Sequence, residues 1–339
     1  MLELSGTKWR FFPATAFEDI SPAWDELNKE LYNSPLLNSQ FVSALLRHFS
    51  TDKEVIGIFS EEGVPSAMGV FVKKNRLMWE TFQPSQAPIG LWMMSSKVDC
   101  GEILRSLLSG LSGFSLGVGL TQLDPLYITR PDSLNGSMQV LDYIETSKVT
   151  VNASFEDYWQ QRGKNLRQNL RRQRNRLARE NVEVKLDIVT HADQMRQAIA
   201  DYGMLECAGW KSEGGTAIHP DNVQGKFYQS VLEHLAPLGQ ACVYKYYYDD
   251  QVVAVDFCVS QAGTIVILKT TFDESIKTSS PAMLMREDAF KQIFDQQQFK
   301  NIEFYGRVMD WHTKWTNEMR KMYHISYYRW PFIARIKSF

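Results

Sequence analysis

Hydrophobic and polar residues follow regular patterns along the chain, and these patterns predict most of its elements. Short apolar runs between turn residues predict strands, whereas apolar spacings of three and four residues predict amphipathic helices. The first half is predicted to contain strands over 9–13, 54–59, 67–72, 77–82, 89–93, 115–120 and 140–151, and helices over 20–32, 39–49 and 103–111.

The second half opens on a predicted long helix that runs from Ser154 to about Asn181. Ser154 and Asp157 fit a helix-capping pair, and Glu156 adds a further acidic side chain to the first turn. The remaining elements are predicted as strands over 182–189, 241–248, 252–260, 264–272, 301–305 and 325–330, and helices over 193–209, 222–235 and 281–298.

The two halves share an order of elements, although no sequence repeat accompanies it. In each half, helices precede a meander of strands, which is followed by a helix and a further strand. A meander followed by a strand–helix–strand crossover gives a mixed, mostly antiparallel sheet flanked by helices. The sequence therefore predicts an α/β (α+β) fold with two domains, residues 1–150 and 151–339.

Composition narrows the class of protein. The 339 residues are 44% hydrophobic and carry a net charge of −2, which disfavours a general electrostatic binder of nucleic acid. The four cysteines show no close Cys/His spacing, so we expect neither a metal site nor a disulfide scaffold. With no apolar run of about 18 residues and no secretion signal, a cytoplasmic protein is predicted.

The predicted helix is strongly basic over 162–179. This stretch holds eight Arg and Lys residues and no acidic one, and removing these eight from the net charge of −2 leaves −10. Like charges four residues apart destabilise a helix, as in the pairs Arg167–Arg171 and Arg172–Arg176. The pattern indicates an anionic partner: phosphate, a charged donor or carrier, tRNA or an anionic membrane surface. The alternative is a solvated face paired with acidic residues elsewhere.

Two further segments carry candidate chemistry. Glu206, Lys211 and Glu213 surround a helix end at Trp210, where a partly buried glutamate would be a general base for an amine. The alternative is plain helix termination with Trp210 in the core. Separately, the strand that ends in Lys269-Thr270-Thr271 leads through hydroxyl residues to a helix starting at Pro281, an arrangement that favours anions through free N–H groups and the helix dipole.

Several motifs from Ser154 to Arg329 resemble the CelD-like acetyltransferase family of the GNAT superfamily. The matching residues, in order, are Phe155-Glu156-Asp157-Tyr158 with the Arg-rich helix, Gly209-Trp210-Lys211, Gly215-Thr216-Ala217, Lys269-Thr270, Asp273-Glu274, Ser280-Pro281, Trp315 and Arg320. Ala282 departs from the glycine usual in the family. The first half fits a divergent second GNAT-like domain, and such tandem folds also occur in the FemABX transferases.

The resemblance implies acyl transfer from a CoA or carrier-protein thioester to an amine or hydroxyl of a sugar or cell-envelope polysaccharide precursor. No metal is expected, and the enzyme is expected in the cytoplasm or at the periphery of the inner membrane. The alternatives are an aminoacyl transferase that uses tRNA, like the FemABX enzymes, and a non-catalytic adaptor of polysaccharide synthesis.

Each candidate site residue receives a role under this resemblance. Glu206 or Glu213 would be the general base, and Tyr305 would protonate the leaving thiolate. The acceptor- and donor-binding set would comprise Trp210, Lys211, Lys269, Asp273, Ser279, Ser280, Arg307, Arg167, Arg171 and Arg174.

Overall fold

The computed structural model describes residues 8–131, 136–208 and 218–336. The chain forms two compact units. One comprises the described residues of Met1–Thr146 and Arg320–Phe339, and the other is Ser147–Met319. None of the described helices is long and apolar enough to cross a membrane.

The first unit is built on a mixed sheet with helices packed beside it. Its elements are β1 (Lys8–Pro13), α1 (Phe17–Leu31), α2 (Ser39–Phe49), β2 (Val55–Glu61), β3 (Val64–Asn75), β4 (Met78–Thr81), β5 (Trp92–Met94), α3 (Cys100–Gly110) and β6 (Gly117–Leu123). The strand order is β1-β2-β3-β4-β6, with β5 beside β3. β4 and β6 run parallel, and the other pairs named here are antiparallel. The long strand β7 (Met138–Thr150) then leads into the second unit.

The second unit repeats the theme with a longer meander. Its elements are α4 (Phe155–Gln160), α5 (Lys164–Arg179), β8 (Val184–Val189), α6 (Ala192–Ala208), α7 (Val223–Leu235), β9 (Ala241–Tyr248), β10 (Gln251–Gln261), β11 (Thr264–Phe272), α8 (Pro281–Gln296) and β12 (Asn301–Phe304). The strand order is β8-β9-β10-β11-β12, and the end of β7 pairs with β12. β11 and β12 run parallel, and the other pairs within β8–β11 are antiparallel.

The chain then completes the first unit with β13 (Glu318–Tyr328) and α9 (Pro331–Ile336). β13 pairs antiparallel with β6, and its Tyr323 and Ile325 lie in the first unit's core. Arg320 donates to the buried Asp124 carboxylate at 2.8 and 2.6 Å. The sequence pattern assigns this segment to the domain 151–339, but its contacts are with the first unit because β13 supplies a strand of that sheet.

The mixed α/β architecture predicted from the sequence is confirmed, and β9 and β11 have the predicted bounds. The prediction of a single long helix from Ser154 to Asn181 is wrong. This segment forms two helices, α4 and α5, because Gly163 between them takes an extended ψ of 134°. The predicted apolar stripe of α5 is confirmed, since Leu166, Leu170 and Leu177 are all buried.

Candidate functional site

A cavity of about 670 Å³ lies in the second unit where β11 ends and α8 begins. β12 pairs with β11 only at Thr264–Val266, whereas β11 continues to Phe272, so the two parallel strands part beside the cavity. The cavity is lined by Leu205, Glu206, Thr270, Thr271, Phe272, Glu274, Ile276, Lys277, Ser279, Ser280, Ala282, Met283, Arg286, Trp311 and Lys314.

Glu206 is the buried carboxylate of this cavity and lies near the end of α6, with 4% of its surface exposed. Its Oε2 accepts the backbone N–H of Ile218 at 2.8 Å. The hydroxyl of Tyr202, one helical turn earlier, lies 3.2 Å from Oε1 and also 3.2 Å from the carbonyl oxygen of Thr270. Burial and the Glu206 carboxylate raise the pKa of Tyr202 well above its ordinary value, so Tyr202 remains a donor.

A buried ion pair forms another part of the wall. Arg286 Nη2 lies 3.0 Å from Asp256 Oδ2 and 3.1 Å from Thr270 Oγ1. The guanidinium carbon lies 4.5 Å from the ring centroid of Trp311, a cation–π contact with another lining residue. Burial raises the pKa of Asp256, an effect that Arg286 opposes. A positive charge at the wall of an apolar cavity favours polar or anionic groups of a substrate.

His312 stacks on Trp311, with ring centroids 3.5 Å apart. Its Nδ1 accepts the backbone N–H of Met309 at 2.9 Å. Burial and the nearby Arg286 guanidinium lower the pKa of His312 to about 4. His312 is therefore neutral at pH 7, so it adds no second positive charge next to the Arg286 guanidinium.

The N-terminus of α8 is the predicted anion site, and the structure places Ser279 and Ser280 at the cavity. Ser279 Oγ is 2.8 Å from the Tyr248 hydroxyl. The backbone N–H of Ser280 donates to Oε1 of Gln173 on α5 at 2.8 Å. Pro281 has no N–H, so the first turn offers a ligand fewer backbone donors than a glycine-rich phosphate loop does.

The exposed cations of α5 form a surface that we call the basic surface; it consists of Lys164, Arg171, Arg172, Arg176 and Arg179. Within the described part of the chain, only Arg176 of these five forms a salt bridge, with Glu180 at 2.7 Å. A shallow depression of about 820 Å³ is lined by Arg172, Arg176 and Arg179 together with Thr278, the residue before Ser279. The basic surface therefore extends to the start of α8.

The side chains of Arg174 and Arg167 donate hydrogen bonds to other residues of the chain. Arg174 donates to Glu287 at 2.9 and 2.7 Å and to Asp288 at 2.7 Å, which ties α5 to α8. Arg167 donates to the carbonyl of Arg162 and to Oε1 of Gln160. Arg171 is exposed and lines a neighbouring depression with both.

The remaining predicted site residues in the described chain are not among those that line the cavity. Lys269 points its Nζ toward the Tyr228 ring, 6.0 Å from the centroid. Asp273 is buried and accepts the backbone N–H of Ser275, which shapes the turn after β11. Tyr305 is half-buried directly after β12, and Arg307 is exposed. Trp210, Lys211 and Glu213 lie outside the described residues.

Asp256, Arg286 and Trp311 were not predicted as site residues. One signal was available, because Asp256 interrupts an otherwise apolar strand sequence, VVAVDFCV. A buried charge in such a strand needs a partner. The sequence does not identify that partner, because Arg286 lies thirty residues away on a helix. Among the described residues, no cluster of His, Cys, Asp or Glu could hold a metal ion.

Comparison with known proteins identifies the catalytic class of this part of the chain. Residues 164–313 match the family model of the acetyltransferase (GNAT) domain. We call residues 164–313 the GNAT segment. It includes all the cavity-lining residues except Lys314, and the match supports an acyltransferase enzyme. Comparison with curated proteins gives no match.

Several solved structures are similar to this protein over nearly the whole length of the chain. One is the C-terminal domain of a protein named lysylphosphatidylglycerol synthetase from Agrobacterium fabrum, 13% identical, with a TM-score of 0.58 and coverage of 94% of this chain and 95% of that one. Another is FemX, 9% identical, with a TM-score of 0.59 and coverage of 97% and 100%. L-PGS from Bacillus licheniformis is 13% identical, with a TM-score of 0.51 and coverage of 99% and 98%. These similarities show a shared fold.

Proposed function

We propose that the protein transfers an acyl group from a thioester donor to an amine or hydroxyl of a sugar or other cell-envelope polysaccharide precursor, as in CelD-like acetyltransferases. The observation that supports this most is the cavity at the parting of β11 and β12, because it brings a buried carboxylate and a helix N-terminus together inside a GNAT segment. A concave site with a few convergent polar groups is the usual form of a small-molecule site.

On the acceptor side, Glu206 is proposed as the general base. Its carboxylate is at the cavity wall and is held by the Ile218 N–H, so its position is fixed before substrate binds. The acceptor amine or hydroxyl would give its proton to Glu206 as its lone pair attacks the donor carbonyl carbon. The bond from that carbon to sulfur then breaks. Tyr305, half-buried directly after β12 and not among the cavity-lining residues, is the proposed donor of the proton that the thiolate takes up. Glu213 remains the alternative base.

On the donor side, the residues fit one anionic group near the start of α8. Ser279 and Ser280 line the cavity there, together with the cations Lys277 and Lys314. The Ser280 N–H donates to Gln173, and Pro281 has no N–H. Fewer backbone N–H groups are therefore left to bind a diphosphate. This fits the phosphate of a pantetheine arm, whether it belongs to CoA or to a carrier protein.

A second candidate donor is an aminoacyl-tRNA, and the basic surface favours it. Four of its five cations have no acidic partner in the described chain, and the surface reaches Thr278 beside the cavity. A phosphate backbone that crosses α5 would neutralise these charges, and its 3′ end would reach the cavity entrance. Under this proposal Arg171 contacts the donor, whereas Arg167 and Arg174 position α5.

The acceptor also bears on location. A precursor linked to lipid would bring the enzyme to the periphery of the inner membrane, whereas a soluble sugar would leave it in the cytoplasm. Both locations fit the proposed chemistry.

Thermal stability and turnover with purified full-length protein test the donor. A donor present at 100 times its Kd stabilises the folded state by about 2.7 kcal/mol, which is a measurable shift in Tm. We expect acetyl-CoA, longer acyl-CoAs or an acyl carrier protein to raise Tm, and Lys277→Ala to weaken the rise. Arg47→Ala, on the other unit, is the matched control and should leave it intact.

If aminoacyl-tRNA is the donor, tRNA alone raises Tm in a salt-dependent manner, and Arg172→Ala with Arg179→Ala reduces that rise. A flat response to every donor class, with no acyl transfer to amino sugars or hydroxylated glycans, contradicts the proposed function.

A further inference from the structure

Three aromatic rings stand together on the surface of the first unit. Phe114, Trp330 and Phe332 have 60%, 41% and 58% of their surfaces exposed. The centroids of Phe114 and Trp330 are 6.1 Å apart, and those of Trp330 and Phe332 are 5.9 Å apart with the ring planes at 11°. We call these three residues the aromatic patch. Large apolar side chains that are exposed together, and not singly, indicate an interaction surface.

The backbone that carries the aromatic patch is fixed in place. Arg329 donates from Nε to the carbonyl of Ser115 at 2.8 Å and from Nη2 to that of Leu108 at 3.3 Å, which joins the segment before α9 to the loop that carries Phe114. Gln139 Nε2 donates to the carbonyl of Ala334, whose side chain is buried. The rings therefore remain outward although their backbone is anchored, so binding through them needs little ordering of the chain.

Cations surround the aromatic patch. The Arg329 guanidinium carbon lies 5.5 Å from the Phe114 ring centroid, and Arg335 is exposed on α9, three residues after Phe332. Lys73 Nζ lies 3.6 Å from the position that a Cβ on Gly113 would occupy, next to Phe114. Within residues 8–131, 136–208 and 218–336, none of these three cations forms a salt bridge. The patch is thus apolar and positively charged.

We propose that the aromatic patch and its cations bind an anionic lipid surface. Tryptophan and phenylalanine rings enter the interface between headgroups and acyl chains, while adjacent Arg and Lys bind anionic headgroups. The two contributions are both needed for stable peripheral binding, and this surface supplies both. The inference extends the proposed membrane-peripheral location, but it rests on the first unit alone and not on acyl transfer.

Vesicle sedimentation with the full-length protein tests the proposal. We expect binding to phosphatidylcholine vesicles that contain phosphatidylglycerol, and little binding to phosphatidylcholine alone. The triple variant Phe114→Ser, Trp330→Ser, Phe332→Ser should reduce the bound fraction about tenfold, because the apolar contribution is lost. Leu238→Ser removes another exposed apolar side chain, 61% exposed and in the second unit, and should bind as the wild type does.

A second variant keeps the rings and removes charge. Lys73→Gln with Arg335→Gln should abolish the preference for phosphatidylglycerol, and added salt should have a similar effect. Each variant must retain the wild-type Tm. The proposal is overturned if the wild type binds neither vesicle or if the triple variant still binds. It is also overturned if the wild type is a dimer that the triple variant dissociates, since a second copy would then cover the patch. Turnover measured without vesicles tests the proposed acyl transfer separately.

Discussion

Arg286 on α8 and Asp256 on β10 form an ion pair at 3.0 Å, and their side chains are 2% and 4% exposed. The pair joins the helix that opens at the cavity to the central meander of the second unit. Asp256 Oδ1 and Arg286 Nε have no hydrogen-bond partner among the described residues, so the pair is incompletely satisfied. Both charges lost their hydration on folding, and each depends on the other for compensation.

Removing one partner of this pair should therefore destabilise the fold strongly. We expect Asp256→Leu or Arg286→Met alone to lower the free energy of unfolding by about 3–5 kcal/mol, because each leaves an uncompensated buried charge. The double variant should recover most of that loss. Urea denaturation of all four proteins measures the coupling. Additive losses in the double variant would show that the two side chains do not act as a pair.

Glu206→Gln should preserve the fold and remove the proposed base. The glutamine carbonyl can still accept the Ile218 N–H, whereas it cannot take a proton from the acceptor. We expect kcat to fall roughly 100- to 10,000-fold with a nearly unchanged Tm. Glu274→Gln alters another carboxylate that lines the same cavity and should have a small effect. An equal decrease in kcat in the two variants would show that Glu206 is not the general base.

Gly203 permits the close approach that positions the partner of Glu206. A Cβ at this site on α6 would lie 2.4 Å from the carbonyl oxygen of Ile218. We expect Gly203→Ala to destabilise the protein by about 1–3 kcal/mol through overpacking, although alanine is the better helix former. It should also lower kcat. Gly306→Ala, where a Cβ would meet nothing within 4 Å, is the matched control. Wild-type stability of Gly203→Ala in chemical denaturation would contradict this account.

His312 should make the second unit sensitive to acid. Its pKa is about 4 in the folded state, compared with 6.5 for an ordinary histidine, so the unfolded chain binds the proton more readily. Stability is therefore fully present above pH 6.5 and falls by up to about 3 kcal/mol as the pH approaches 4. His312→Asn keeps an acceptor for the Met309 N–H and should reduce this loss.

Denaturation curves at pH 7 and pH 5 measure the difference. Exposed His234 is the control, and His234→Asn should retain the acid sensitivity of the wild type. Equal pH dependence in the wild type and His312→Asn would show that another group titrates.

Local patterns predicted the elements well because the period of apolar residues is a local property. β11 and the start of α8 at Pro281 have the predicted limits, and with them Ser279 and Ser280 come to the cavity. The face of β11 was harder to predict. The sequence predicts Lys269 as a binding residue, but Thr270 lines the cavity, since a strand with both faces partly buried lacks clear alternation.

Features that depend on distant contacts could not be predicted. The partner of Asp256 is determined by the packing of α8 on the sheet. The helix break at Gly163 occurs beside a hydrogen bond that Arg162 donates to the carbonyl oxygen of Trp315. The location of β13 in the first unit is also a long-range property, because it is set by pairing with β6. Sequence position alone would place that strand with its neighbours along the chain.

The return of the chain to its first unit has a consequence for biosynthesis. During translation β6 emerges long before β13, so one edge of β6 stays without this partner while Ser147–Met319 is being made. The contiguous second unit can fold first on the ribosome, whereas the nascent first unit must wait for its last strand. An early stop codon or a stalled ribosome between these two strands would release an open strand edge, the kind of edge through which newly made proteins aggregate.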